Sequence, residues 1–187
     1  MRAAAWSIAA VLAAFLPAPA LLALHFRDGP PARVTGGFGE DSCAACHFGS
    51  APNDAAGKLT LEGLPERLTP GATYALEVAL TRPGLATGGF QLAIRNAADR
   101  TQAGRIAVPA QEEERVAILE ERGVQSAQHR LAKVPAAGAD SLRWKLSWTA
   151  PEQAGPVTVH VAAVAGDGDE SQAGDFAYTL QSVMHAE

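Results

Sequence analysis

The stretch "SLRWKLSWTAP", residues 141–151, constrains this chain more than any other feature. Leu142, Trp144, Leu146 and Trp148 alternate with Arg143, Lys145, Ser147 and Thr149. A period of two fits a β-strand with one face buried and one face wet, and excludes an amphipathic helix. The same rhythm recurs along the chain. Leu59 and Leu61 share a face in "KLTLEGL". Tyr74, Leu76, Val78 and Leu80 share one in a segment bracketed by Pro-Gly turn signals, and Phe90, Leu92 and Ile94 are in phase in "GGFQLAIR". "AGRIAVP", "GPVTVHVAAVAG" and "GDFAYTLQSVM" supply three more strands. Residues 111–131 carry charges and alanines that suit a helix. However, Val116, Ile118 and the break at Gly123 fit two short strands and a loop, which is the preferred reading. Seven or eight short strands with 12 Pro and 18 Gly between them predict an all-β, immunoglobulin-like sandwich.

The N-terminus has a different character. Arg2 precedes an uncharged run from Ala3 to Leu24, and Ala18-Pro19-Ala20 has the small-x-small form of a signal peptidase site. Residues 1–20 are therefore expected to be a signal peptide, the alternative being an N-terminal membrane anchor to about residue 24. In either case the folded part lies outside the cytoplasm, in the periplasm or at the extracellular envelope. Residues 25–56 form a linker and an irregular Gly-rich segment, and residues 57–184 the sandwich. A formal net charge of −5 and the lack of any basic, aromatic-interleaved cluster argue against nucleic acid or an anionic membrane surface as partner.

The two cysteines of the chain both fall in the irregular segment, in "DSCAACHFGS". In C-x-x-C-H the two thiols can reach the two vinyl groups of a porphyrin, and the adjacent imidazole becomes the proximal iron ligand. Cys43 and Cys46 are thus candidates for covalent haem c attachment, with His47 on the iron. Ala44, Ala45 and the glycine-rich flanks leave room for a flat cofactor. Other chemistries use the same residues. An exported C-x-x-C can close into a disulfide or act as a thiol–disulfide centre. Zinc would need a fourth ligand beyond Cys43, Cys46 and His47.

For a sixth iron ligand the candidate is His129, expected in an irregular polar segment from which it could reach another loop. His160 alternates with Val157, Val159 and Val161 and is expected to face solvent. Met184 is in phase with Phe176, Tyr178 and Leu180 and is expected in the core. His25 and His185 lie near the two ends, and Met1 goes with the signal. Asp167, Asp169 and Ser171 have the spacing that opens a calcium loop, but no Glu closes it, and an acidic turn between strands accounts for them. No nucleophile–base pairing or phosphate-binding glycine loop is present, so an enzyme is not expected.

Several short motifs, in order, resemble the bacterial relatives of the reelin N-terminal (reeler) domain, including the choice-of-anchor V proteins. These are "TGGFGEDSCAACH" at 35–47, "LTPGATY" at 68–74, "GFQL" at 89–92, "QH" at Gln128-His129, "LRWKLSWTAP" at 142–151 and "GDFAY" at 174–178. The resemblance covers about residues 33–181 and implies an immunoglobulin-like sandwich with the cysteine pair on an N-terminal extension. It also makes His129 the distal candidate. "TGGFGE" departs from the family's "TGAPGE", so this loop lacks a proline. Two main functions follow, with a haem enzyme or gas sensor that keeps an open sixth site as a third, weaker one. One is an exported mono-haem c-type electron-transfer protein that docks with a redox partner. The other is a cofactor-free envelope or extracellular binding or adhesion module with a local Cys43–Cys46 disulfide.

Overall fold

The computed structural model describes residues 29–131, 139–153 and 155–186; the signal or anchor segment and His25 lie outside them. Among the described residues eleven strands form two sheets. The smaller contains β2 (Lys58–Glu62), β4 (Thr73–Thr81), β9 (Ser141–Thr149) and β6 (Arg105–Ala107), in the order β2-β4-β9-β6. The larger runs β1 (Phe48–Gly49), β11 (Ala173–Ala186), β10 (Val157–Gly166), β5 (Thr87–Asn96), β8 (Val124–His129), β7 (Val116–Glu121). β3 (Arg67–Leu68) pairs separately with the end of β11.

Every alternating segment named from the sequence becomes a strand, and residues 116–129 form a hairpin rather than a helix. Its two-residue loop, Arg122-Gly123, has φ of 52° and 73°, the left-handed pair of a type I′ turn. The strands not foreseen are β1 and β3, two-residue segments too short to carry a period.

The alternating faces meet between the sheets. Trp144 and Trp148 on β9 are fully buried against the large sheet, and Phe90 on β5 packs on Trp144 with ring centroids 4.8 Å apart. Leu92, Ile94, Val157, Val159 and Val161 complete the facing layer. Met184 is 1% exposed and belongs to this core, as its phase implied. Each such side chain contributes about 1.5–3 kcal/mol of burial.

The outer face of the large sheet is covered where an ordinary sandwich would leave it wet. Residues 29–47 lie across it as a strap. Gln91 on β5, fully buried, ties the strap down: its Oε1 accepts the Val34 N–H at 2.7 Å, and its Nε2 donates to the Pro31 carbonyl at 2.9 Å and to Gln128 Oε1 at 2.9 Å. Further along, the Glu40 carboxylate is buried against Arg95 of β5, receives Arg33 Nε at 3.3 Å, and accepts the Thr35 hydroxyl at 2.9 Å. Phe38 sits edge-on to His160 of β10, centroids 4.6 Å apart. A Cβ on Gly37 would stand 2.0 Å from that imidazole, so the strap can lie this close only with glycine there. Phe38 itself has φ of 58°, which a proline cannot adopt, and this accounts for the missing proline of "TGGFGE".

Two expectations are corrected here. His160 does have the outward phase, but the strap half-buries it instead of leaving it in solvent. His129 is not in an irregular segment; it is the last residue of β8 and 7% exposed.

Candidate functional site

The strap delivers the cysteine motif to one end of the sheet. Residues Cys43–Ala45 make one 3₁₀ turn, capped by Ser42, whose Oγ accepts the Ala44 N–H at 3.2 Å. The Cys43 carbonyl then accepts the N–H of Cys46 at 3.2 Å and of His47 at 2.9 Å. In such a turn residues three apart eclipse one another, so Cys43 and Cys46 lie on the same side. β1 follows at once and pairs in parallel with the start of β11, the Phe48 N–H donating to the Gln172 carbonyl at 2.9 Å.

That pairing sets His47 against Asp175. The Nδ1 of His47 is 2.5 Å from Asp175 Oδ2, and Asp175 is 4% exposed. A carboxylate at Nδ1 fixes the tautomer: Nδ1 carries the proton and Nε2 the lone pair. Asp175 is the aspartate of the "GDFAY" motif, whose place at the start of a strand does not by itself mark a site residue. Its role depends on a partner 128 residues earlier in the chain.

A cleft of about 520 Å3 opens between this end of the strap and the sheet, and Cys43, Cys46, His47, Asp175 and His129 all line it. Its size is within the ~300–1,000 Å3 usual for cofactor pockets. The sheet contributes Gly89, Val164 and Gly166 from adjacent β5 and β10, a surface with little side chain, while Pro30, Pro31 and Leu131 add apolar wall. The His129 ring occupies the space above Gly89: a Cβ there would fall 2.3 Å from its Cε1. Its Nδ1 is 3.0 Å from the Phe90 nitrogen and 3.2 Å from the Phe90 carbonyl oxygen. Accepting the Phe90 N–H places the proton on Nε2. Donating to the Phe90 carbonyl leaves Nε2 with a lone pair, and only that tautomer can take a metal.

Both thiols are free, Cys43 half-buried and Cys46 exposed. Desolvation pushes the Cys43 thiol up to about 12, with the neighbouring Cys46 adding to the rise. A thiol–disulfide centre needs the opposite, a depressed thiol. Among the described residues no three His, Cys, Asp or Glu side chains are grouped as a metal cage, so Cys43, Cys46 and His47 do not converge as zinc ligands do. The donor set does fit haem c: two thiols on one side of a turn, an imidazole with its Nδ1 anchored, and an apolar, glycine-floored cleft beside them. Asp167 and Asp169 accept from the Asp169 and Ser171 N–H groups as an ordinary turn between β10 and β11. His185 pairs with Arg67 at the far end of β11, away from the cysteine turn.

The fold is an open, reeler-like β-sandwich. Among solved structures the chain is similar to the Reelin-N domain of F-spondin, at 18% identity and a TM-score of 0.52, with 78% of this chain and 95% of that one covered. It is also similar to the human F-spondin reeler domain, at 19% identity and a TM-score of 0.50, covering 74% and 95%. At these identities the likeness concerns the fold. No family model matches the chain, and no curated relative does. No helix among the described residues is long and apolar enough to cross a membrane.

Proposed function

We propose that this chain is an exported mono-haem c-type electron-transfer protein built on a reeler-like sandwich. The observation that carries the proposal is the single cleft onto which Cys43, Cys46, His47 and His129 all open. Haem c, when bound, supplies a one-electron iron couple. Cys43 and Cys46 would hold it covalently, His47 would give Nε2 as proximal ligand with Asp175 fixing the ring, and His129 would give the sixth ligand in its Phe90-donating tautomer. The apolar wall excludes water from one face. The acidic surface of the chain suits transient docking with a basic redox partner.

The test is a visible spectrum of the full chain, exported in a host with a haem c maturation system, with a haem stain after denaturing electrophoresis. Colour that survives denaturation and disappears in Cys43→Ala/Cys46→Ala supports the reading. A correctly exported, colourless protein overturns it. A second reading is supported by the reeler-like fold itself: a cofactor-free binding or adhesion module of the envelope, in which Cys43 and Cys46, free thiols in the structure, would close a local disulfide. Paired thiols in the colourless protein would be its signature.

A further inference from the structure

A second cleft, of about 270 Å3, lies between another part of the strap and the outer face of β5 and β8. Arg33, Arg95, Arg100 and Arg122 line it, together with Phe38 and Ser126. Among the described residues only two carboxylates pair with these guanidinium groups: Glu40 with Arg33 and Arg95, and Glu121 with Arg122 at 3.7 Å. The result is a local excess of positive charge on a chain whose formal charge is −5. Among the described residues the Arg100 guanidinium is tied only to the Phe38 carbonyl, at 3.2 Å. Ser126 is 4% exposed, lines the cleft, and its hydroxyl has no hydrogen-bond partner among the described residues. The Nε of Arg95 is buried and without a partner as well.

The backbone marks the same place independently. Among the described residues six that are not glycine have left-handed φ, and four of them line this cleft: Arg33 at 68°, Phe38 at 58°, Arg100 at 63° and Arg122 at 52°. Arg122 occupies the first position of a type I′ turn, where Asn is favoured, and Arg100 closes a four-residue loop where Gly or Asn would be easier. Local rules broken repeatedly around one cavity point to a use for that cavity.

We propose that this cleft binds a small oxyanion, a carboxylate or phosphate group, clasped from the rim by Arg100 and Arg122 with the Ser126 hydroxyl donating from the floor. Arg95, engaged by Glu40 and Phe38, contributes field rather than direct contact. The site does not depend on haem. The experiment is isothermal titration of the full chain at low ionic strength with inorganic phosphate and, separately, with succinate. One-to-one saturable binding of either probe is expected, and which one binds identifies the chemistry. Arg100→Gln with Arg122→Gln should weaken it by at least about tenfold, the loss of charge-assisted hydrogen bonds, and salt should weaken it further. Arg122→Asn should weaken binding while raising the melting temperature, because it restores the favoured turn. No saturable binding of either probe, binding that survives loss of both arginines, or a lowered melting temperature in Arg122→Asn overturns the proposal.

Discussion

Replacing Glu40 by Gln tests how the strap is held. The Glu40 side chain is 1% exposed and that of Arg95 6%, so the pair sits in the low-dielectric layer between strap and sheet. Gln keeps the shape and one acceptor oxygen but removes the countercharge. Arg95, whose Nε already lacks a partner, is then left as a buried cation. Breaking one side of such a pair costs about 3–5 kcal/mol. The Arg33 contact adds little, since Arg33 is 43% exposed and screened. Against a typical stability of about 5–15 kcal/mol this is a large share. With m near ~2 kcal/mol/M the urea midpoint should fall by roughly 1.5–2.5 M. Limited proteolysis should show new cleavage within residues 29–47, because the strap is what the pair secures. Replacing both members, Glu40→Leu with Arg95→Met, should recover most of the loss, giving a coupling above ~1 kcal/mol in the double-mutant cycle. A Glu40→Gln protein whose urea midpoint and cleavage pattern both match the parent would refute the account of a charge-locked strap.

Three further outcomes are expected. Gly37→Ala should destabilise by about 1–3 kcal/mol through the contact 2.0 Å from the His160 ring, and His160→Ala in the same chain should relieve it, read by chemical denaturation. Asp175→Asn should raise the midpoint potential of the haem-loaded protein and weaken iron ligation by about 10–100-fold. The same variant should lose the fixed His47 tautomer in nitrogen-15 spectra of the apoprotein. Burial lowers the pKa of His160 from 6.5, chiefly by desolvation, so near neutral pH the unfolded chain binds the proton more readily than the folded one. Stability should therefore be intact above about pH 6.5 and decline as pH falls below it, and His160→Gln should flatten that slope in pH-dependent melts.

The strands were legible because each carries its own period: Trp144 and Trp148 alternate with Arg143 and Lys145 whatever lies elsewhere in the chain. Cys43, Cys46 and His47 were legible because they are contiguous. The remainder of the site is non-local. Gln91 and Arg95 read as outward polar residues of β5, and nothing adjacent in sequence shows that residues 31–40 will bury them. Their presence in an otherwise apolar strand is the one local signal that the outer face is covered. His160 was placed on the correct face and misjudged for the same reason. The polarity of "VQSAQHRL" suggests a loop at His129, but the non-local pairing of β8 with β5 decides its burial. Asp175 stands in "GDFAY", where nothing local points to His47.

The hydrogen bond between His47 and Asp175 spans 128 residues, and this separation puts a clock on the molecule. A chain exported as it is synthesised, at about 5–20 residues per second, exposes His47 roughly 6–25 s before Asp175 exists to meet it. During that interval the cysteine turn has neither β11 to pair with nor a finished cleft above it, and both thiols are open to a modifying enzyme. Once the last strand docks, Cys43 is desolvated and the opportunity narrows. The order of synthesis thus separates the time for covalent chemistry on the strap from the time for locking it down.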